Sequence, residues 1–453
     1  MSKILIVNAN SSSSQSNDTE NIISLSPNIS ERTFESQTKK NQPLNETPLS
    51  TKGNVKSYCR LRPNNTLFSS LGKFEIQNNN KTLIVDFTPE QDKNNPSKQL
   101  KFKYNFTEIF GTGTENEIIF GKVCRQSIEE LFTKNKNALI FVFGITNSGK
   151  TYTVKGNSQD FGILQLSLKA LLNEYQKFEK TKDLCQITCT YIEIYNEEIF
   201  DLLSEDRKKI KIREMGNRFY PQGCIVKNIR NEDDFRDALT IGEINITKAE
   251  TNANPYSSRS HSIFRVELSY KDGSNIGRPV SLCIVDLAGA ERVSRSGMLG
   301  NGVKEAGNIN SSLLVLKKCF DAMEANSHPN NADKKMIVPI RESKLTMLFK
   351  EYFSDHQNIS VICTINPDKN EMLDIRSVLS FGAKALRVKP IKSWVPVYTS
   401  SSKEISPNRN ENRENNFLQK DKKRYRLLTD KKYIINPYHK NNNSQKSISK
   451  EKK

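Results

Sequence analysis

Ala138-Leu-Ile-Phe-Val-Phe143, running straight into Gly144-Ile145-Thr146-Asn147-Ser148-Gly149-Lys150-Thr151, is the stretch that decides the architecture. Six consecutive apolar residues, four of them β-branched or aromatic, predict a strand covered on both faces. The next eight fit G-x-x-x-x-G-K-S/T between a strand and a helical pattern, the context a phosphate-cradling loop requires. Its glycines let backbone N–H groups turn inward around phosphate oxygens, and the following helix presents its positive dipole end to the same anion. Lys150 is placed to reach the β and γ phosphates, and Thr151 to offer its hydroxyl to Mg²⁺. Gly111-Thr-Gly113, which lacks the third glycine of a dinucleotide fingerprint, reads as an ordinary turn.

Outward from this loop the same grammar repeats. Val280–Val285 and Ile359–Ile365 are further short, β-rich runs, whereas His261–Tyr270 alternates, with Phe264, Val266, Leu268 and Tyr270 on one face, as in a half-exposed strand. Helical patterns cover 115–132, 162–178, 233–246, 303–324, 343–353 and 377–386. Strands alternating with helices predict an α/β P-loop nucleoside triphosphatase: a central, mostly parallel sheet with helices on both faces. This domain is expected to occupy 54–388.

Composition places the remainder. The chain has 453 residues and a net charge of +18, with 35% hydrophobic residues and a mean hydropathy of −0.63. Residues 1–53 are rich in Ser and Asn and are expected to be disordered, as are 401–453. Residues 391–453 carry 16 Lys and Arg against 6 Asp and Glu, a surplus of 10, so most of the basicity belongs to a tail. No run of about eighteen apolar residues occurs, and the run at Ile4–Val7 is too short for a signal-peptide core, so an intracellular protein is expected. The 8 Cys form no C-x-x-C pair and accompany only 4 His, which argues against a disulfide framework or a structural zinc site and for core thiols.

A triphosphatase also needs an acidic residue at a strand end to hold Mg²⁺ and a segment that senses the γ-phosphate. Asp286, followed by Leu-Ala-Gly289-Ala-Glu291-Arg, satisfies the first, and Gly289 offers a backbone N–H to the second; a simple strand-ending Asp-x-x-Gly turn explains this segment alone equally well. A third segment, Asn254-Pro-Tyr-Ser257-Ser258-Arg259-Ser260-His261, clusters hydroxyls around one arginine.

Taken in this order, the three segments resemble the nucleotide site of the kinesin motor domain. Arg60-Leu-Arg62-Pro63 resembles that family's adenine-side motif, Asn310-Ser-Ser-Leu313 its relay helix, and Val338–Thr346 its microtubule-facing segment. The resemblance spans about 55–390 and implies ATP as fuel with Mg²⁺, consistent with the absence of the Asn-Lys-x-Asp motif of GTPases. It implies that Ser258 completes the Mg²⁺ shell with Thr151, that Asp286 holds the ion through water, and that Ser257 helps position the lytic water or takes part in its proton relay. It implies that Arg259 and Glu291 form a salt bridge closing the two switches, and that adenine rests near Arg60, Arg62 and Pro63 with Tyr152 opposite. Lys317, Lys318, Arg341, Lys344 and Lys350 would face acidic tubulin, although Met347 stands where some members carry a basic residue. Residues 389–400, stiffened by Pro390 and Pro396, occupy the place of the neck linker.

The implied function is a microtubule-activated ATPase motor of the cytoplasm and cytoskeleton. The alternative is a non-motile, ATP-gated microtubule crosslinker or tether, suggested by a basic tail whose apolar pattern at 417–435 sustains no coiled-coil seam. Nucleic acid is a competing but less favoured partner for that tail. Asn147–Thr153, Ala290 and Leu348–Phe353 are most similar to the mitotic branch that works at the spindle midzone and in cytokinesis. Members of that branch often carry a long insertion after the strand ending near Leu203, where this chain has only 204–211.

Overall fold

The computed structural model describes residues 55–63, 74–88, 100–178, 184–215, 218–250, 259–272, 275–276, 279–291, 301–327, 335–354, 356–367 and 372–391. The expected disordered ends, Ser257, Ser258 and most of the neck-linker-like segment lie outside these residues.

In chain order the elements are β1 (Val55–Leu61), β2 (Phe74–Gln77), β3 (Thr82–Asp86), β4 (Lys101–Asn105), β5 (Glu108–Phe110), α1 (Asn116–Val123), α2 (Arg125–Lys134), β6 (Ala138–Phe143), α3 (Lys150–Lys155) and α4 (Ile163–Phe178). There follow β7 (Leu184–Tyr195), β8 (Glu198–Asp201), β9 (Lys209–Met215), β10 (Arg218–Gln222), β11 (Lys227–Ile229), α5 (Glu232–Glu250), β12 (His261–Asp272), β13 (Asn275–Ile276), β14 (Val280–Asp286), α6 (Asn301–Ser327), α7 (Lys344–Phe349), β15 (Asn358–Ile365) and α8 (Met372–Ala385). The main sheet runs β10-β9-β8-β7-β12-β14-β6-β15-β1-β5, and β2-β3-β4 form a separate antiparallel sheet. The stretch β14-β6-β15-β1-β5 is parallel, and β12 and the strands beyond it are antiparallel. At the far end of β12, Lys271 and Asp272 pair with Ile276 and Asn275 of β13.

All six residues of β6 are buried. Period-2 alternation sends Leu139, Phe141 and Phe143 into a core shared with Leu316 and Phe320 of α6, Leu345 of α7 and Val378 of α8. Ala138, Ile140 and Val142 enter a second core with Ile119, Leu131, Leu168 and Phe235 of α1, α2, α4 and α5. The two-sided burial expected from the apolar run is present, and it fixes β6 as the strand from which the phosphate loop emerges. Among the described residues no helix is long and apolar enough to cross a membrane. Seven described cysteines are free, six of them buried.

Three expectations need correction. The pattern at 115–132 is two helices, α1 and α2, which meet at Cys124, where the backbone stays in the right-handed region (φ −102°, ψ −40°) but the regular helix is interrupted. The pattern at 343–353 is α7 followed by a 3-10 turn, Lys350–Phe353. β12 is not half-exposed: its polar face is covered, and Arg265 there is ion-paired with Glu267 (2.8 Å) and Glu351 (2.6 Å) while Arg218 is ion-paired with Glu351 (3.3 Å) and Glu267. Charges paired this closely can occupy a core that unpaired ones could not.

Candidate functional site

The loop leaving β6 turns through two left-handed residues, Asn147 (φ +64°) and Gly149 (φ +95°), before α3 begins at Lys150. Gly144 backs directly onto the Thr364 backbone and hydroxyl, so a side chain there would collide with β15. Ser148 fixes the loop from inside, giving its hydroxyl to the Ile145 carbonyl (2.7 Å) and lying 2.8 Å from the Thr364 hydroxyl. Lys150 is buried and donates to the Ile145 carbonyl at 2.8 Å. Burial lowers its pKa, with Asp286 and Glu291 opposing.

Three strand ends meet at this loop. Thr151 gives its hydroxyl to Asp286 Oδ2 at 2.7 Å. The other oxygen, Asp286 Oδ1, is buried without a hydrogen-bond partner, and burial raises the carboxyl above its usual range. An orphaned carboxylate oxygen beside a hydroxyl is an oxygen donor set that fits a hydrated divalent cation, and the buried Lys150 ammonium next to it suits the phosphate that such an ion accompanies. Beyond Asp286 the chain stays on the loop: the N–H groups of Leu287 and Ala290 donate to the Val142 and Gly144 carbonyls (3.3 and 3.0 Å). The Glu291 carboxylate then accepts from the Thr146 N–H (2.9 Å) and hydroxyl (2.5 Å). Gly289 lies so close to that carboxylate that a Cβ would strike it. Arg259, half-buried, stands just before β12.

His261 is a residue for which sequence reasoning assigned no role. Buried to 2% exposure, it accepts the Ala288 N–H on Nδ1 (2.9 Å) and meets the Ser312 hydroxyl of α6 through Nε2 (2.7 Å). The acceptor role of Nδ1 places the proton on Nε2. Burial, with Lys150 nearby, lowers its pKa to about 3, so the ring is neutral. Its only sequence signal is its position at the end of the hydroxyl-rich segment.

On the adenine side the structure separates the residues grouped from sequence. Arg60 is buried, donating to Asn116 Oδ1 and Thr153 Oγ1 (both 2.7 Å) and to the Thr114 carbonyl (3.1 Å), and lies 5.1 Å from the Tyr152 ring centroid. It braces β1 against α1 and α3. Arg62 reaches the Asn147 carbonyl and side chain, Pro63 is exposed, and Tyr152, 39% exposed, donates to Asp160 at 2.6 Å.

Residues 60–388 match the kinesin motor domain family. This chain is a member of that family. It is 30% identical over 365 residues to a kinesin heavy chain of Strongylocentrotus purpuratus, covering 79% of this chain and 33% of that protein. It is 28% identical over 408 residues to the kinesin-like protein KIF23 of Mus musculus, covering 72% and 42%. The chain thus spans between a third and about two fifths of the length of these two kinesins. Its fold resembles the motor of KIF14, residues 391–772, solved as a dimer in the two-heads-bound state with AMP-PNP in complex with a microtubule (TM-score 0.64, 24% identity, covering 75% of this chain and 95% of that one).

The residues expected from the sequence to face tubulin differ in exposure: Lys317 and Lys350 are drawn inward by internal partners, whereas Lys318 and Arg341 are paired yet exposed. Lys317 donates to Ser377 of α8 (3.0 Å) and lies 5.4 Å from the Phe143 ring centroid. Arg341 and Lys350 share Glu214 of β9 (2.6 and 3.2 Å), both near the Phe219 ring of β10 (5.3 and 5.2 Å). Lys344 offers its backbone N–H to Glu197 (2.8 Å), whose carboxylate also takes the Ser343 hydroxyl (3.0 Å) and so caps α7. Lys318, half-exposed, pairs with Glu342 at 3.3 Å. Glu197 and Glu214 organise this side, and nothing in their local sequence marks them. At the start of the neck-linker-like segment, the Lys389 N–H donates to Ser327 Oγ (3.0 Å) and the Ile391 N–H to the Phe353 carbonyl (2.9 Å).

Proposed function

We propose that this chain is a microtubule-stimulated ATPase that couples hydrolysis to movement along, or force on, microtubules. The observation that carries the reading is the convergence of Lys150, Thr151 and the half-unpartnered Asp286 carboxylate at the mouth of the β6 loop. Thr151 and Asp286 would hold Mg²⁺, the latter through water, with Ser258 completing the set. When bound, the ion supplies charge neutralisation on the β and γ phosphates.

The chain's own groups do the rest. Lys150, held by the Ile145 carbonyl, exchanges that partner for phosphate oxygen when nucleotide enters. Glu291, which here occupies the Thr146 N–H and hydroxyl, moves to Arg259 when the switches close and frees the Thr146 N–H for the anion. Closure places Ser257 and the Gly289 N–H around the transferring group, where positioning and electrostatic stabilisation provide most of the rate. Arg62 and Tyr152 flank the adenine, and Arg60 holds the helix beneath them. His261 passes the position of the Asp286–Glu291 segment to α6, which carries Lys318 on the track-facing side.

Resemblance to the midzone branch supports a role in the spindle or cytokinesis. Tagged full-length chain that decorates interphase microtubules without enrichment at the midzone would overturn that assignment. The motor reading is tested by ATP turnover of the full chain with and without polymerised tubulin, at low and moderate salt. Stimulation that weakens with salt is expected. Turnover indifferent to microtubules would refute the coupling, and no turnover would refute the nucleotide site.

A further inference from the structure

Behind the phosphate loop stands a charged cluster that contacts neither the loop nor its anion site. Thr151 and Lys155 are four residues apart on α3 and share one face of it. Thr151 is bonded to Asp286; one turn further in, Lys155 Nζ is bonded to Glu243 Oε2 of α5 at 2.7 Å, the two side chains 21% and 43% exposed. Tyr191 donates its hydroxyl to the other oxygen, Glu243 Oε1, at 3.4 Å.

The sheet register brings this cluster beneath Asp286. Asp286 pairs with Ser262, and Phe264, two residues on, pairs with Tyr191, so Asp286 and Tyr191 lie on one face of the sheet. α5 is drawn down onto that face at Gly242, where any Cβ would enter the Tyr191 ring. Burial alone would lower the Lys155 ammonium, but Tyr191 and Glu243 outweigh it and its pKa is raised, with Asp286 adding to the effect. Lys150 and Lys155 against Asp286 and Glu243 make a locally neutral set.

We infer that the Lys155–Glu243 pair tunes the divalent-cation affinity of the Asp286 site, its two members acting with opposite sign. Lys155, below Thr151, opposes a cation at Asp286, and Glu243 offsets that opposition; neither residue touches nucleotide or metal. In a partly buried site a unit charge about one helical turn from a divalent ion changes its affinity on the order of tenfold. An ion pair that merely joins α3 to α5 makes a different prediction, because losing either partner would then loosen the site in the same direction.

This inference rests on the nucleotide-site reading, and the experiment separates the two. Full chain is loaded with fluorescent ADP, and its release into excess unlabelled ATP is followed across a buffered Mg²⁺ series. Lys155→Met is expected to lower the Mg²⁺ concentration for half-maximal retention about tenfold, Glu243→Gln to raise it about tenfold, and the double variant to return within about twofold of wild type. Thermal unfolding in EDTA without nucleotide reports the structural cost separately, and is expected to show all three variants equal to or below wild type. Single variants that shift the Mg²⁺ dependence in the same direction, or not at all, overturn the inference while leaving the nucleotide site standing. If a single variant does not fold, a double variant displaced more than about fivefold overturns it. Wild-type chain that retains nucleotide without regard to Mg²⁺ refutes the site reading itself and this inference with it.

Discussion

Replacing His261 with Gln is expected to remove a pH dependence that wild-type protein shows between pH 7 and pH 5. The imidazole accepts the Ala288 N–H at 2.9 Å and donates toward Ser312 at 2.7 Å with almost no solvent contact, and burial holds its pKa at about 3. The unfolded chain titrates near 6.5, so below that value it binds a proton that the folded protein refuses. The folded pKa is depressed; stability is therefore full above about 6.5 and is lost as pH falls toward 3. Each pH unit inside that window costs up to about 1.4 kcal/mol, and between pH 7 and pH 5 the loss sums to about 2 kcal/mol. Gln titrates in neither state. At pH 7 the variant should be less stable by about 1–3 kcal/mol, because the geometry of two buried hydrogen bonds is disturbed. At pH 5 that gap should shrink by about 2 kcal/mol. Urea unfolding of both proteins at the two pH values measures the gap directly. A gap that stays constant would show that His261 is protonated, or solvated, in the folded state, and would refute the neutral bridge between β12, Ala288 and α6.

Further outcomes follow from other residues. Glu291→Ala should keep nucleotide bound but slow hydrolysis about 100-fold in single-turnover measurements, and unchanged turnover would contradict the exchange between Thr146 and Arg259. Glu130 is held at about 2, where bonds from Asn358, Lys134 and Gln126 and the nearby Lys136 outweigh burial. Its contribution should be complete above about pH 4.5 and lost as pH falls toward 2, so Glu130→Gln should cost about 1–3 kcal/mol at neutral pH and progressively less in acid, as read by chemical unfolding. Glu351→Leu should cost about 3–5 kcal/mol by leaving Arg265 and Arg218 short of a buried partner, whereas Arg265→Met combined with it should cost less than the sum of the two single variants in a double-mutant cycle.

The parts of this protein that a reader of its sequence can find are those built from local rules. β6 and its loop are legible because a continuous apolar run and two glycines at fixed spacing require no knowledge of the remaining chain. Asp286 is legible for the same reason, as the polar end of a buried strand. Arg265 and Glu267 are not: in an alternating strand they read as a wet face, and only the arrival of Glu351, more than eighty positions later, reveals that the face is covered. The resemblance puts Arg60 beside the nucleotide; its bonds to Asn116 and Thr153 depend on how α1 and α3 stack, which no spacing encodes. That Lys350 and Arg341 share one carboxylate is not legible either, because Glu214 lies on a distant hairpin. The short strands β2–β4, β8, β10 and β11 carry three to five residues each, too few for a period to declare itself.

The position of β6 also has a kinetic meaning. Its backbone is flanked by β14 on one side and β15 on the other, with a packed helical layer over each face, so its amide protons have no route to solvent short of opening the whole domain. Deuterium should enter Leu139–Phe143 last, while the corner at Asn147, a few residues away, exchanges early. A loop that must rearrange around its guest is thus rooted in the strand expected to exchange last.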